Sequence, residues 1–323
     1  MIIDELKTLL REGINNQPNC KFLDEVILYY ILGQKFRYKN FKYGNTPKDP
    51  RIHLMLRIQD NEMRIATQIN ILKIAKKLDW SADKINQISS GAMTGHVTFR
   101  QKELSLENFD KPEEEAENGK IFKGVFESNR FLLLPPLRKL FGFVTGSYHI
   151  NKQEVFDVLL SGYKSDANKI IKQVGTARVE GYLGASLVIT AGIHSLPEEF
   201  TSWNFQFISK EILTNPLKPQ LANDEKLKEF ANKVNNLPEI KEKLVVRDTI
   251  YSKLEELKKE YMQLRTGIRS ERVSYNYCLQ TFKIASIHCL SEGRNEIIST
   301  DLEQAHKVSI KSLELMNLMG KKQ

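Results

Sequence analysis

The turn between residues 57 and 62 constrains this chain more than any other segment. Residues 52–56 (Ile-His-Leu-Met-Leu) form a short apolar run of the kind that makes a buried strand, and residues 63–78 (MRIATQINILKIAKKL) carry apolar side chains at helical spacing. A strand, a tight turn and a helix in that order can cradle phosphate, because the turn's backbone N–H groups and the helix N-terminus both point at the anion. Such a turn needs glycines for close backbone approach and a lysine to balance charge. Here it reads Arg57-Ile58-Gln59-Asp60-Asn61-Glu62, with no glycine and with two carboxylates that repel phosphate. The frame is that of a nucleotide site, and the residues disable it.

The 323 residues, 41% hydrophobic and 27% charged, supply a sizeable core and exclude wholesale disorder. A net charge of +8 favours an anionic partner, nucleic acid first. The three cysteines, Cys20, Cys278 and Cys289, have no metal-binding spacing; Cys278 and Cys289 share one helical face and read as buried free thiols of a reducing compartment. The segment MIIDELKTLLREG carries acids early and has no apolar h-region, so no signal peptide is expected, and no apolar run approaches membrane-spanning length. The expected location is cytoplasmic, nucleoid-associated if the chain holds DNA.

Helical spacing marks residues 3–12 and 22–32, the second closed by Gly33. In 35–44 (KFRYKNFKYG), Phe36 and Tyr38 alternate with Lys35, Arg37 and Lys39, which on a strand makes one aromatic and one basic face. Residues 85–90 read as a second strand, Lys120–Phe126 with Asn129–Leu134 as a hairpin feeding a buried strand, 169–183 as a hairpin through Gly175, and 185–191 as another buried strand. From 222 onward the segments 224–234, 237–243, 247–264, 270–290 and 300–316 all carry helical periodicity, and Asp301 follows Ser299-Thr300 in an N-cap neighbourhood. The expected architecture is an α/β core over 1–215, with 52–56, 85–90, 129–134 and 185–191 in one mainly parallel sheet, followed by a helical lid over 216–323.

This order of segments resembles the AAA+ module of the minichromosome-maintenance (MCM) helicases over roughly residues 20–320. The similarity lies in EVILYYILGQKFRYKNFKYGNTPKDPRIHLML, in the small-residue turn Ser89-Ser90-Gly91-Ala92-Met93-Thr94, in Gly119–Pro136, in the hairpin turn Ile170-Ile171-Lys172-Gln173-Val174-Gly175, and in Ala285 with Asp301-Leu302 and Ala305. The resemblance implies a P-loop NTPase-like (AAA+) fold, a helical lid and assembly into a ring or filament. It departs at each catalytic position. Only Arg64 stands near the Walker A lysine. Pro135-Pro136 stand where the Walker B Asp-Glu pair would bind Mg²⁺ and polarise water. The sensor-1 asparagine falls near Ala191-Gly192, and no arginine lies between Arg178 and Arg247 to serve as a finger.

Two basic surfaces follow. By resemblance, Lys169, Lys172 and Arg178 sit on a channel-lining hairpin, with Lys172 the foremost DNA contact; otherwise they are solvated hairpin cations. The strip Lys35, Arg37, Lys39 and Lys42 with Phe36, Tyr38, Phe41 and Tyr43 either tracks phosphates and stacks on bases or is an ordinary strand with aromatics inward. Arg269 and Arg272 stand where a sensor-2 arginine would lie and are otherwise exposed helix residues. Asp60, Glu62, Arg64, Pro135 and Pro136 mark the degenerate nucleotide site. His53 and His288 read as core or boundary residues, and the acidic run 113–117 as a solvated loop. No His-x-x-x-His, Cys-x-x-Cys or Gly-x-Ser-x-Gly occurs, so neither metal, cofactor nor catalytic residue is expected. The expected function is a pseudo-ATPase that binds DNA, a replication partner or both, as a homo-oligomer or in a hetero-oligomer with an active AAA+ protein. Alternatives are a divergent active ATPase or helicase subunit, and a scaffold without a nucleic-acid role.

Overall fold

A computed structural model describes residues 2–14, 21–39, 41–43, 46–57, 61–84, 95–98, 120–123, 130–133, 169–174, 177–182, 186–191, 206–207, 222–264 and 270–320. The helices are α1 (Ile2–Ile14), α2 (Lys21–Lys35), α3 (Asn61–Lys77), α4 (Asp224–Asn235), α5 (Asp248–Leu264), α6 (Ser270–Ser291) and α7 (Ser299–Gly320). The strands are β1 (Phe41–Tyr43), β2 (Thr46–Lys48), β3 (Leu54–Arg57), β4 (Ala82–Lys84), β5 (Gly95–Thr98), β6 (Lys120–Lys123), β7 (Phe131–Leu133), β8 (Lys169–Val174), β9 (Ala177–Tyr182), β10 (Ser186–Ala191) and β11 (Gln206–Phe207).

The core is organised around α2. Phe22, Leu23, Val26, Ile27, Leu28, Tyr29, Tyr30, Ile31 and Leu32 are all at most 2% exposed, so this helix is apolar on every side and must be covered all round. Helix α1, which buries Leu6, Leu10 and Ile14 at spacings of four, packs on it, and α6 packs on it as well. Tyr30 reaches the strands: its ring stacks on Phe131 at 4.8 Å, and its hydroxyl donates to the Ser186 carbonyl at 2.8 Å. Helix α4 closes on α1 where Gly13 leaves room for Leu227, and Asn223 caps it by accepting from the N–H groups of Glu225 and Lys226. Residues of α1, α2, α3, α4, α6 and α7 share one hydrophobic core.

Helix dominates the described structure, and this corrects the expected fold class of an α/β, P-loop NTPase-like (AAA+) core with a mainly parallel sheet and a trailing lid. Helices run from 12 to 22 residues, whereas each strand has only two to six. The strands form short sheets; the largest has the order β11-β3-β10-β7-β4 with parallel neighbours. The physical reason is the burial of α2 and of α6 from Tyr277 onward. Helices α1 and α6 pack on α2, and α5 and α7 pack on α6, so helix packing more than a sheet carries the core.

Local expectations shift as well. Segment 35–39 is not a strand: α2 runs through Lys35 and continues into turns, with Phe36 N–H on the Leu32 carbonyl and Lys39 N–H on the Phe36 carbonyl. The alternation there therefore makes no pair of faces; Phe36 is buried and Tyr38 exposed. Gly33 lies inside α2 rather than closing it. Strand β4 occupies 82–84, and 85–90 lies outside the described residues. Strand β6 pairs with β5, not with the segment at 129–134. Residues 237–243 are not helical: Leu237, Ile240 and Leu244 are buried at helix-like spacing, but the segment is a strap whose Val245 bridges Glu296. Among the described residues no helix is long and apolar enough to cross a membrane.

Both observed left-handed residues end helices. Gly293 (φ 74°) follows α6, with Gly293 N–H on the Leu290 carbonyl and Arg294 N–H on the Cys289 carbonyl. Asp79 (φ 57°) follows α3 with the same pattern, Asp79 to Lys76 and Trp80 to Ala75. Helix α7 begins under Asp301, which accepts from Ile298 N–H at 3.0 Å and grips both terminal nitrogens of Arg294 at 2.6 and 2.9 Å.

Candidate functional site

The end of α2 presents the described surface with the most recognition chemistry. Tyr38 is 73% exposed, far beyond any other large apolar or aromatic side chain among the described residues. The Arg37 guanidinium lies 4.5 Å from its ring centroid and also donates to its hydroxyl. Arg130 approaches from the strands, stacked 4.8 Å over the Trp80 ring. Burial lowers the Arg130 pKa, and the charge of Arg37 lowers it further, which places both cations in one field, with Tyr38 and Asp79 acting in the opposite sense. Lys39 is half-buried beside them and Lys42 is exposed on β1.

Trp80 and Arg130 lie fifty residues apart in sequence and meet through strand pairing. Ala82 of β4 sits opposite Phe131 of β7, and Arg130 N–H donates to the Ser81 carbonyl and hydroxyl at 3.0 and 3.1 Å. Sequence spacing carries no signal for this meeting, and neither residue was expected at the site.

Of the expected DNA contacts, Arg37 and Lys39 belong to this surface. Lys35 has a structural occupation: its ammonium donates to the Asn235 carbonyl at 3.0 Å, closing the C-terminal end of α4. The hairpin β8–β9 is antiparallel, with Lys169 opposite Tyr182, Lys172 opposite Val179 and Gln173 opposite Arg178. Opposed residues share a face and successive residues alternate, so Lys169 and Arg178 register on one face and Lys172 on the other. The three do not form one basic strip.

The degenerate nucleotide positions are partly described. Glu62 is exposed and Arg64 half-buried in the first turns of α3, while Asp60, Pro135 and Pro136 lie outside the described residues. Arg269 also lies outside them, and Arg272 stands in the first turn of α6.

Two polar groups elsewhere are built into the core. Asp49 binds Arg51 through both carboxylate oxygens, Arg51 Nε at 2.9 Å and Nη2 at 2.7 Å. Lys283 donates to the Arg51 carbonyl at 2.8 Å, and His53 Nδ1 accepts from Leu187 N–H at 3.0 Å. Burial alone would raise the Asp49 carboxyl, but the charge and hydrogen bonds of Arg51, aided by Lys283, outweigh it and bring the pKa down to about 2. Burial drives Lys48 and Lys283 down to about 8 and lowers His53 as well. The second group joins α5, α6 and α7: Glu260 to His306 Nε2 at 3.3 Å, His306 Nδ1 to the Tyr261 hydroxyl at 2.8 Å, and that hydroxyl to Thr281 Oγ1 at 2.8 Å. The carboxylate–imidazole–hydroxyl order is that of an activated nucleophile. Tyr261 and Thr281 are fully buried, however, so the chain ties three helices together and offers no substrate access.

Among the described residues, no group of three or more His, Cys, Asp and Glu side chains could hold a metal ion. No protein-family model matches the chain, and no curated protein matches it.

Proposed function

We propose that this chain binds single-stranded nucleic acid on the platform made by Arg37, Tyr38, Lys39 and Arg130, and that it does so without hydrolysing ATP. The exposure of Tyr38 under Arg37, with Arg130 in the same electrostatic field, is the observation that carries this reading. A single exposed ring is ordinary on a protein surface; what sets Tyr38 apart is the Arg37 cation held over its ring. A ring braced by Arg37 is pre-positioned to stack on an unpaired base, a contact of about 1–3 kcal/mol. Arg37, Lys39, Lys42 and Arg130 would meet the flanking phosphates, and the net charge of +8 would steer the encounter. The segment-order resemblance to the MCM family favours DNA as the polymer. The sequence 57–62, without glycine or lysine and bearing Asp60 and Glu62, favours the absence of turnover.

The test is binding of labelled single- and double-stranded oligonucleotides across a salt series. Single strands should bind more tightly, with affinity falling steeply with salt and depending little on sequence. Tyr38→Ala should weaken single-strand binding about tenfold while leaving the salt slope intact, because stacking releases no counterions. Arg37→Ala and Arg130→Ala should each lower the slope by about one. Millimolar ATP–Mg²⁺ should leave the melting temperature unchanged. Absence of binding at low salt would overturn the reading. Loss on Lys172→Ala with Tyr38→Ala silent would place the surface on the β8–β9 hairpin instead.

A further inference from the structure

We propose that a cleft among α1, α2, α6 and α7 is a binding site for inorganic phosphate or a small phosphate monoester, held by Lys307, Lys311 and the Tyr29 hydroxyl, with His288 positioning Tyr29. The cleft has a volume of about 190 Å³. That is room for several waters or for one small anion.

Three lysines from two helices line it: Lys7 of α1, and Lys307 and Lys311 of α7. Lys7 is committed to Glu25, with a nitrogen–oxygen distance of 2.6 Å. Asp4 also lines the wall, so the site is not uniformly basic. Lys307 and Lys311 lie four residues apart on one helix and are both exposed, which puts two like charges side by side. Lys311 is steadied by Phe22, its ammonium 4.6 Å from the ring centroid. An anion between the two ammonium groups converts a repulsion into two charge-assisted hydrogen bonds.

The third donor lies deeper. The Tyr29 hydroxyl is 2.9 Å from His288 Nε2, and both side chains border the cleft while being almost wholly buried. Burial, the largest influence, keeps His288 neutral, with a pKa lowered to about 4. A neutral imidazole has one N–H. If it lies on Nε2, the ring donates to the Tyr29 oxygen and leaves the hydroxyl hydrogen for a ligand. Two ammonium donors from one face of α7 and a hydroxyl from α2 supply three hydrogen-bond donors around the cleft, enough for the several oxygens of a phosphate.

This site is separate from the Tyr38 platform, and the experiment keeps the two apart. Inorganic phosphate is titrated into the full chain by calorimetry at constant ionic strength, with succinate as the dicarboxylate comparison. Saturable phosphate binding is expected, with Lys307→Ala and Lys311→Ala each weakening it about tenfold. Tyr29→Phe should weaken it similarly. His288→Gln, whose amide N–H can stand in for Nε2–H, should retain binding that His288→Leu loses. Arg37→Ala with Arg130→Ala should leave phosphate binding unchanged. The proposal is overturned by absence of saturable binding, by binding indifferent to both lysine variants, by succinate binding as tightly as phosphate, or by loss in the Arg37/Arg130 variant. The lysines are exposed and their replacement leaves the core intact, so the test stands even where a Tyr29 or His288 variant fails to fold.

Discussion

A Cβ placed on Gly33 would stand 2.6 Å from the carbonyl oxygen of Pro50. That contact is with backbone, and Arg51 Cα and Ile52 N follow at 3.2 Å, so nothing flexible can yield. The glycine is kept in the last turn of α2 because the strand-bound segment 50–52 passes directly over it. Gly33→Ala should therefore destabilise the fold by about 2 kcal/mol or more, overriding the ~1 kcal/mol by which alanine improves a helix. Gly13→Ala should cost less, because its nearest neighbour is the end of the Leu227 side chain. Urea midpoints of the two variants check the order; equal midpoints would contradict it.

Asp79 holds a left-handed conformation that glycine adopts without strain. The hydrogen bonds that end α3 are made by its backbone and that of Trp80, not by its side chain. Asp79→Gly should raise stability by about 0.5–1 kcal/mol, net of the greater freedom of glycine in the unfolded chain. A lower urea midpoint in the variant would show that the carboxylate matters more than the backbone.

The folded-state pKa of Lys283 is lowered to about 8 against an ordinary value of 10.5, chiefly by burial. Between those values the unfolded chain binds more protons than the folded one, so this group makes stability rise as pH climbs from about 8 toward 10.5. Lys48 acts in the same direction. The unfolding free energy of wild type minus that of Lys283→Met should therefore become more favourable to wild type from pH 7 to pH 9.5. Taking the difference cancels the opposing titration of the thiols. A pH-independent difference would mean that Lys283 titrates normally.

Cys278 and Cys289 are buried free thiols, and burial pushes both up to about 12. The thiolate is the reactive form, so neither should react at neutral pH. In a Cys20→Ser background, a thiol reagent should label nothing within minutes in the native protein and two groups after denaturation. Rapid labelling of one group in the native state would contradict the burial.

Half of the candidate site is visible in the chain before it folds. The run Arg37-Tyr38-Lys39 is basic and aromatic by inspection. Its conformation is less visible: alternation suggests a strand, but Phe36 and Tyr38 hang from turns that continue α2, where the buried helix before them sets the geometry. Lys35 looks like its neighbours in sequence and yet closes another helix two hundred residues away. Arg130 and Trp80 carry no local signal, because the pairing of β4 with β7 brings them together.

The sequence by itself determined that helices run through 3–12, 22–32, 63–78, 224–234, 247–264, 270–290 and 300–316, that the stretch 57–62 holds no glycine, and the basic balance. These are local properties, written in spacing and composition. Only the tertiary structure decided that α2 lies at the centre with other helices around it, that 236–247 is a strap and not a helix, and that Tyr29 meets His288. An apolar run states that a surface must be buried but not by what; that depends on contacts between residues hundreds of positions apart, which no local pattern encodes.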